Sequence, residues 1–190
     1  TAVLLPIYLK SALLLSALVA GLVLLPGGLI NGLMSLVTGR LFDLFGPKWL
    51  VLFGTLGMSI VSFVFFFVIS TETPVWLIVI LHICLLVCIA LVIMPAQTNG
   101  LNQLPKQMYP DGTAIMNTLQ QIAGAMGTAL AISTMTAGQM KYMQTVENPD
   151  APAVIMEALA AGVKSSFFFV FVFAVIAFIV SLFIKRVSIQ

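Results

Sequence analysis

The sequence is 190 residues long, and 61% of its residues are apolar while only 7% are charged. A mean hydropathy of +1.17 is too high for a water-soluble domain of this size, in which about a quarter of the residues carry charge. The net charge of +2 is too small and too scattered to indicate nucleic-acid binding. The composition therefore predicts an integral membrane protein with no nucleic-acid partner.

The long apolar runs predict membrane-spanning helices. Each run is near the roughly 20 residues that cross a hydrocarbon core, and none alternates every second residue as barrel strands do. We predict an all-α, polytopic membrane helical bundle in the cell membrane, with residues 1–190 as a single transmembrane domain. The five predicted full spans lie at about 13–38, 49–70, 75–98, 113–138 and 165–184.

The first nine residues are apolar but too few to cross a membrane, so they are interpreted as the end of an earlier span. The chain begins with Thr1, and the residues that follow do not resemble a signal peptide. We therefore expect a fragment of a longer protein.

Basic residues in the loops predict the orientation, because Lys and Arg near span ends favour the cytoplasm. One set of loops carries five bases, and the other carries three that are diluted by acids. The first set is Arg40, Lys48, Lys106, Lys185 and Arg186, and the second is Lys10, Lys141 and Lys164 with Glu147, Asp150 and Glu157. The turn at 39–48 and the C-terminus are predicted to be cytoplasmic.

Small residues form a stripe about 60° wide along the first full span. Such a stripe allows another helix to approach closely, although glycines are also common in ordinary membrane packing. Pro26, near the middle of the span, predicts a kink or hinge because it removes a backbone donor. The stripe consists of Ala17, Gly21, Gly28, Gly32, Ser35 and Gly39.

Polar side chains inside the spans are candidates for lining a cavity. Amides are costly in hydrocarbon, so they must face either a water-filled cavity or a partner helix, and the sequence leaves both interpretations open. His82 is either proton-sensitive or hydrogen-bonded as a neutral ring to a neighbouring helix. The candidates are Asn31, His82, Gln97, Asn117, Gln121 and Thr128, and the last three share a face about 80° wide with Gly124 and Ala131.

Five residues of the segment 39–48 form a motif that joins two apolar runs. Its glycines permit tight backbone geometry, and its acid can cap the next helix or pair with a base. This predicts a latch between cytoplasmic helix ends. The motif consists of Gly39, Arg40, Asp43, Gly46 and Lys48.

This motif resembles the loop between the second and third helices of each six-helix half of major facilitator superfamily transporters. The segments Leu5-Pro6-Ile7-Tyr8-Leu9, Ala20-Gly21-Leu22 with Leu25-Pro26, Met116-Asn117 through Gln121, and Gly127-Thr128-Ala129 resemble the C-terminal half of fourteen-span EmrB/QacA-type drug:proton antiporters. The turn departs from the family pattern in having Leu44 directly after the acid, where Arg is frequent.

The resemblance implies a fold and a function. The chain would be the end of the ninth span plus spans ten to fourteen, with the spans at 49–70 and 165–184 outermost. Composition independently assigns these two spans to lipid, because they carry few polar side chains. The implied function is proton-coupled multidrug efflux by alternating access. It would need no cofactor beyond a proton gradient, and its partners would be the N-terminal half, the lipid bilayer and an amphipathic small-molecule substrate.

Other functions remain open from the sequence. The transporter could import or export one specific metabolite, or the chain could be a noncatalytic membrane assembly subunit. An intramembrane enzyme is disfavoured, because the sequence has one His and lacks the hydrolase and metalloprotease motifs. The predicted spans contain no Asp or Glu, so the resemblance leaves the proton-coupling carboxylates unassigned.

Overall fold

The computed structural model describes residues 2–146 and 151–184, and this part of the chain is helical without strands. The helices are α1 (Leu4–Ile7), α2 (Ala17–Phe45), α3 (Pro47–Val68), α4 (Val75–Leu101), α5 (Tyr109–Met143) and α6 (Pro152–Ser181). A π-helical turn at Tyr8–Ala12 extends α1, and a 3₁₀ turn at Lys106–Met108 precedes α5. The predicted all-α fold is confirmed.

Four of the described helices, α2, α3, α4 and α6, are long and apolar enough to cross a membrane. They coincide with four of the five predicted spans. The remaining prediction, 113–138, falls within α5, which is long enough but less apolar because it carries amide and hydroxyl side chains. Its membrane crossing stays a prediction.

The predicted turn at 39–48 is wrong in extent. Helix α2 continues through Phe45, and the chain reverses only at Gly46, whose φ of 76° and ψ of 171° suit a residue without a side chain. Pro47 then starts α3 at a position where its missing N–H costs nothing. Gly39, Arg40 and Asp43 therefore lie on the last turns of a helix.

Helix α6 begins thirteen residues before the predicted span at 165–184, with Pro152 in its first turn. The segment 154–161 is therefore continuous with the last span. Lys185, Arg186, Glu147 and Asp150 lie outside the described residues, so the orientation argument that uses them stays a prediction.

The long helices pack in the order α2, α4, α3, α6, α5, so that α2 and α5 lie at the two ends of the row. The described residues of the predicted earlier span, which covers the first nine residues, pack against this row, and Leu5, Tyr8 and Leu9 are fully enclosed. Phe65 of α3 and Phe167 of α6 stack at the centre of the core, with ring centroids 4.4 Å apart. The core is therefore built around the contact of α3 with α6.

Helices α3 and α6 each keep an exposed apolar face beside this contact. Phe63 and Phe67 are exposed on α3, and Phe173 and Ile176 are exposed on α6. Hydroxyl groups of α3 instead point into the bundle, where Thr55 donates a hydrogen bond of 2.7 Å to the carbonyl of Val51. The predicted contact of these two helices with lipid is compatible with this arrangement and stays a prediction.

Candidate functional site

Helices α2 and α4 meet at Gly27 and His82. A Cβ atom placed on Gly27 would lie 2.5 Å from Cδ2 of the His82 ring and 2.9 Å from Cδ1 of Leu86. One turn further along α2, Asn31 donates a hydrogen bond of 2.9 Å to the backbone carbonyl of Leu86. The amide of Asn31 therefore joins two helices, which is one of the two roles that sequence left open for it.

His82 is only 6% exposed, because its ring fills the space left by the absent side chain of Gly27. Its Nδ1 atom is buried and has no hydrogen-bond partner among the described residues. A cavity-lining role for His82 stays a prediction, because in this arrangement of the helices the ring is enclosed by α2. It would reach water only if α2 and α4 moved apart.

Most of the predicted small-residue stripe does not lie on the face of α2 that meets α4, although a Cβ on Gly39 would lie 3.6 Å from Cε of Met94 on α4. Gly21, Gly28 and Gly32 have no heavy atom within 4 Å of an added Cβ, whereas the buried residues of α2 are Ala20, Gly27 and Thr38. These two sets are about 100° apart around the helix. Packing through the stripe, and a hinge at the half-buried Pro26, stay predictions.

The polar face of α5 is open. Asn117, Gln121, Gly124 and Thr128 are all exposed, and an added Cβ on Gly124 meets nothing within 4 Å. Asn117 accepts a hydrogen bond of 3.1 Å from Nε2 of Gln97 on α4. Two of the predicted polar residues are therefore brought together, while Gln121 and Thr128 are left uncovered by the described residues.

The charged residues of the loop motif are also exposed. Among residues 2–146 and 151–184, Arg40, Asp43 and Lys48 form no ion pair, and no side chain caps the start of α3. The short reversal at Gly46 holds these charges at the same end of the two helices. The latch assigned to them therefore stays a prediction.

A close contact of α5 with α6 was missed by the sequence analysis. A Cβ on Gly162 would lie 2.5 Å from the backbone oxygen of Met135, so the two backbones touch here. Ser166 donates a hydrogen bond of 2.6 Å to the carbonyl of Ala131, which joins the same two helices. The small residues Gly138, Gly162 and Ser166 were the available signal, because small residues mark close helix contacts in membranes.

Tyr142 and Glu157 lie at the end of this contact that is nearest the connection between α5 and α6, and the tyrosine hydroxyl donates a hydrogen bond to the carboxylate. That hydrogen bond raises the pKa of Tyr142 above its ordinary value, since the protonated phenol is the form that donates. No group of three potential metal ligands occurs in the described part of the chain. The polar features of these helices are therefore amides, hydroxyls and isolated charges.

Comparison with known proteins identifies relatives of this chain by sequence. Residues 1–128 match the sequence pattern of the Major Facilitator Superfamily. The lincomycin resistance protein LmrB of Bacillus subtilis is 58% identical over 98% of this chain, and LmrB of Listeria monocytogenes is 51% identical over 98%. The MFS-type transporter YcnB of Bacillus subtilis is 32% identical, again over 98% of the chain.

The matched region is a minor part of each relative. The chain spans 39% of the length of both LmrB proteins and 38% of YcnB. No solved structure matches the chain.

Proposed function

Because this chain belongs to the major facilitator superfamily, we propose that it is the C-terminal part of a proton-driven exporter of amphipathic drugs. The observation that carries the proposal is the identity of 58% to LmrB of Bacillus subtilis over 98% of the chain. This match covers nearly the whole chain, including the exposed polar face of α5. Lincomycin is therefore the proposed first substrate, and no catalytic chemistry or cofactor is needed beyond a proton gradient.

The open surfaces at the two ends of the helix row support this proposal. The glycine stripe of α2 and the polar face of α5 are exposed in the described residues, although unpaired amides are costly in hydrocarbon. We assign both surfaces to the contact with the N-terminal half and to the substrate path between the halves. Rocking of one half against the other would then alternate access to a site near the membrane midplane.

The loop motif fits the same proposal. Arg40, Asp43 and Lys48 extend from the shared end of α2 and α3 without partners in the described residues. We assign these charges to a cytoplasmic latch with the N-terminal half, and we place the C-terminus on the cytoplasmic side. The protein itself is a multi-pass membrane protein, as its four apolar spans and its relatives show.

Drug susceptibility of cells tests the proposed function. Expression of the full-length parent protein in a lincomycin-sensitive strain should raise the inhibitory concentration of lincomycin several-fold. The matched control is the same protein with the proposed latch charge removed by Asp43→Asn, checked for equal amounts in the membrane. Unchanged susceptibility with a well-expressed wild-type protein would contradict the proposal.

Two amides of α5 distinguish a substrate surface from helix packing. Gln121→Leu removes an amide that has no partner in the described residues, so we expect altered relative resistance across a panel of drugs without loss of thermal stability. Asn117→Leu also removes the hydrogen bond with Gln97, so we expect an additional loss of about 1 kcal/mol in unfolding free energy. Resistance profiles and melting temperatures of the purified variants give the two readouts.

The pair of variants contains its own control. If Gln121→Leu leaves every resistance ratio at the wild-type value, this face does not contact substrate. If it instead lowers the melting temperature as much as Asn117→Leu, Gln121 packs against a helix of the N-terminal half.

A further inference from the structure

Helices α5 and α6 line a shallow, open groove of about 450 Å³ next to their close contact. Its walls on α6 are apolar and mostly aromatic, and one end is formed by Ser165 together with the side chain of Lys141 from α5. The apolar wall residues are Phe168, Phe169, Val172 and Phe173. The groove therefore has a charged end and an apolar end.

The two ends are separated along the membrane-spanning direction. Gly138 packs against Ser165, and Lys141 lies one turn beyond Gly138, so the ammonium group is at the end of α5. From Ser165 to Phe173 the helix rises by about 12 Å. The apolar walls thus extend from the interface end of the groove into the depth of the span formed by α6.

Lys141 is the only charged residue among those that line the groove. It is exposed and has no ion pair in the described part of the chain, residues 2–146 and 151–184. The nearby acid Glu157 accepts its hydrogen bond from Tyr142 instead. A free ammonium group at a membrane interface attracts an anion by about 1 kcal/mol.

We propose that this groove binds one anionic phospholipid, with its phosphate at Lys141 and an acyl chain along Phe168, Phe169 and Phe173. The charge decides between lipid classes, because the described lining residues include a cation for the phosphate and no carboxylate for a choline ammonium. The site belongs to the leaflet next to the connection between α5 and α6.

Lys164 provides a matched control. It is close in sequence to the groove, but its ammonium lies 5.3 Å from the centroid of the Phe66 ring, towards α3. It is absent from the groove lining. Removing this second lysine changes the protein charge equally without changing the proposed site.

Native mass spectrometry of the full-length parent protein in detergent tests the proposal, with phosphatidylglycerol and phosphatidylcholine titrated separately. We expect Lys141→Ala to weaken the tightest phosphatidylglycerol binding about fivefold and to leave phosphatidylcholine binding unchanged. Lys141→Arg should restore the preference, and Lys164→Ala should retain it. Ala137→Phe, which fills the groove from its α5 side, should weaken both lipids.

The outcomes separate the possibilities. Equal phosphatidylglycerol binding by the wild type and by Lys141→Ala would overturn the proposal, as would unchanged binding by Ala137→Phe. An equal effect of Lys164→Ala would also overturn it, because the attraction would then come from overall charge. Lys141 and Ala137 are exposed, so these variants are expected to fold, and a thermal melt of each protein checks this.

Discussion

Replacement of Gly162 by Ala is expected to destabilise the protein by about 2 kcal/mol. The added Cβ would lie 2.5 Å from the backbone oxygen of Met135 and 3.3 Å from Cβ of Gln139, and the backbone atom cannot rotate away. Overpacking costs about 1–3 kcal/mol, and we expect the upper end of this range because a backbone atom is struck. The better helix propensity of Ala recovers about 1 kcal/mol of this cost. Thermal unfolding of the purified full-length protein measures the difference.

Gly127→Ala is the control for this prediction. It is the same substitution in α5, but an added Cβ at Gly127 meets no atom within 4 Å. Its melting temperature should equal or slightly exceed that of the wild type, because Ala favours the helix. A Gly162→Ala protein as stable as Gly127→Ala would show that α5 and α6 do not touch at Met135.

Replacement of Gly27 by Ala is expected to force α2 and α4 apart. Its Cβ would lie 2.5 Å from Cδ2 of His82 and 2.9 Å from Nε2 of the same ring. The ring is 6% exposed and has little room to turn. We expect a loss of about 1–3 kcal/mol in unfolding free energy.

A second substitution isolates the cause. His82→Ala removes the ring that the new methyl group would strike, so the double variant Gly27→Ala with His82→Ala should be more stable than the sum of the two single losses predicts. Melting temperatures of the four proteins give this coupling energy. Strict additivity of the two losses would mean that Gly27 and His82 are not in contact.

The helices themselves were largely predictable from the sequence. Long apolar runs indicate spans regardless of their partners, and Gly46 followed by Pro47 marks a helix boundary. The sequence predicts an end of this helix near residue 38, earlier than the observed Phe45, because the charges of Arg40 and Asp43 are typical of loops. Exposed charges fit equally well on the last turns of a helix that leaves the membrane.

The contacts between helices were less predictable. The glycine stripe containing Gly28 and Gly32 was the most regular pattern in α2, yet the contact with α4 uses Gly27 and Asn31. A single sequence shows which face of a helix can pack closely, but it does not identify the neighbour on that face. The packing partner of Gly162 is not predictable for the same reason. The contact is made by the backbone oxygen of Met135, and every residue type carries such an atom.

The candidate site was predicted in part. Gln97 and Asn117 were both selected as polar residues inside spans, and the structure joins them by a hydrogen bond of 3.1 Å. His82 was selected by its chemistry alone, and its burial depends on the absence of a side chain on another helix. The type of a residue therefore indicates where polar groups lie in the sequence. Whether each group is exposed or buried depends on how the helices pack.

Accumulation of radiolabelled lincomycin in cells that express the full-length parent protein tests the central claim most directly. A proton-driven exporter predicts low accumulation in energised cells and a rise to the level of empty cells when a protonophore collapses the gradient. Asp43→Asn should accumulate more drug than the wild type at equal expression. Accumulation equal to that of empty cells, with and without the protonophore, would contradict proton-driven export of this drug.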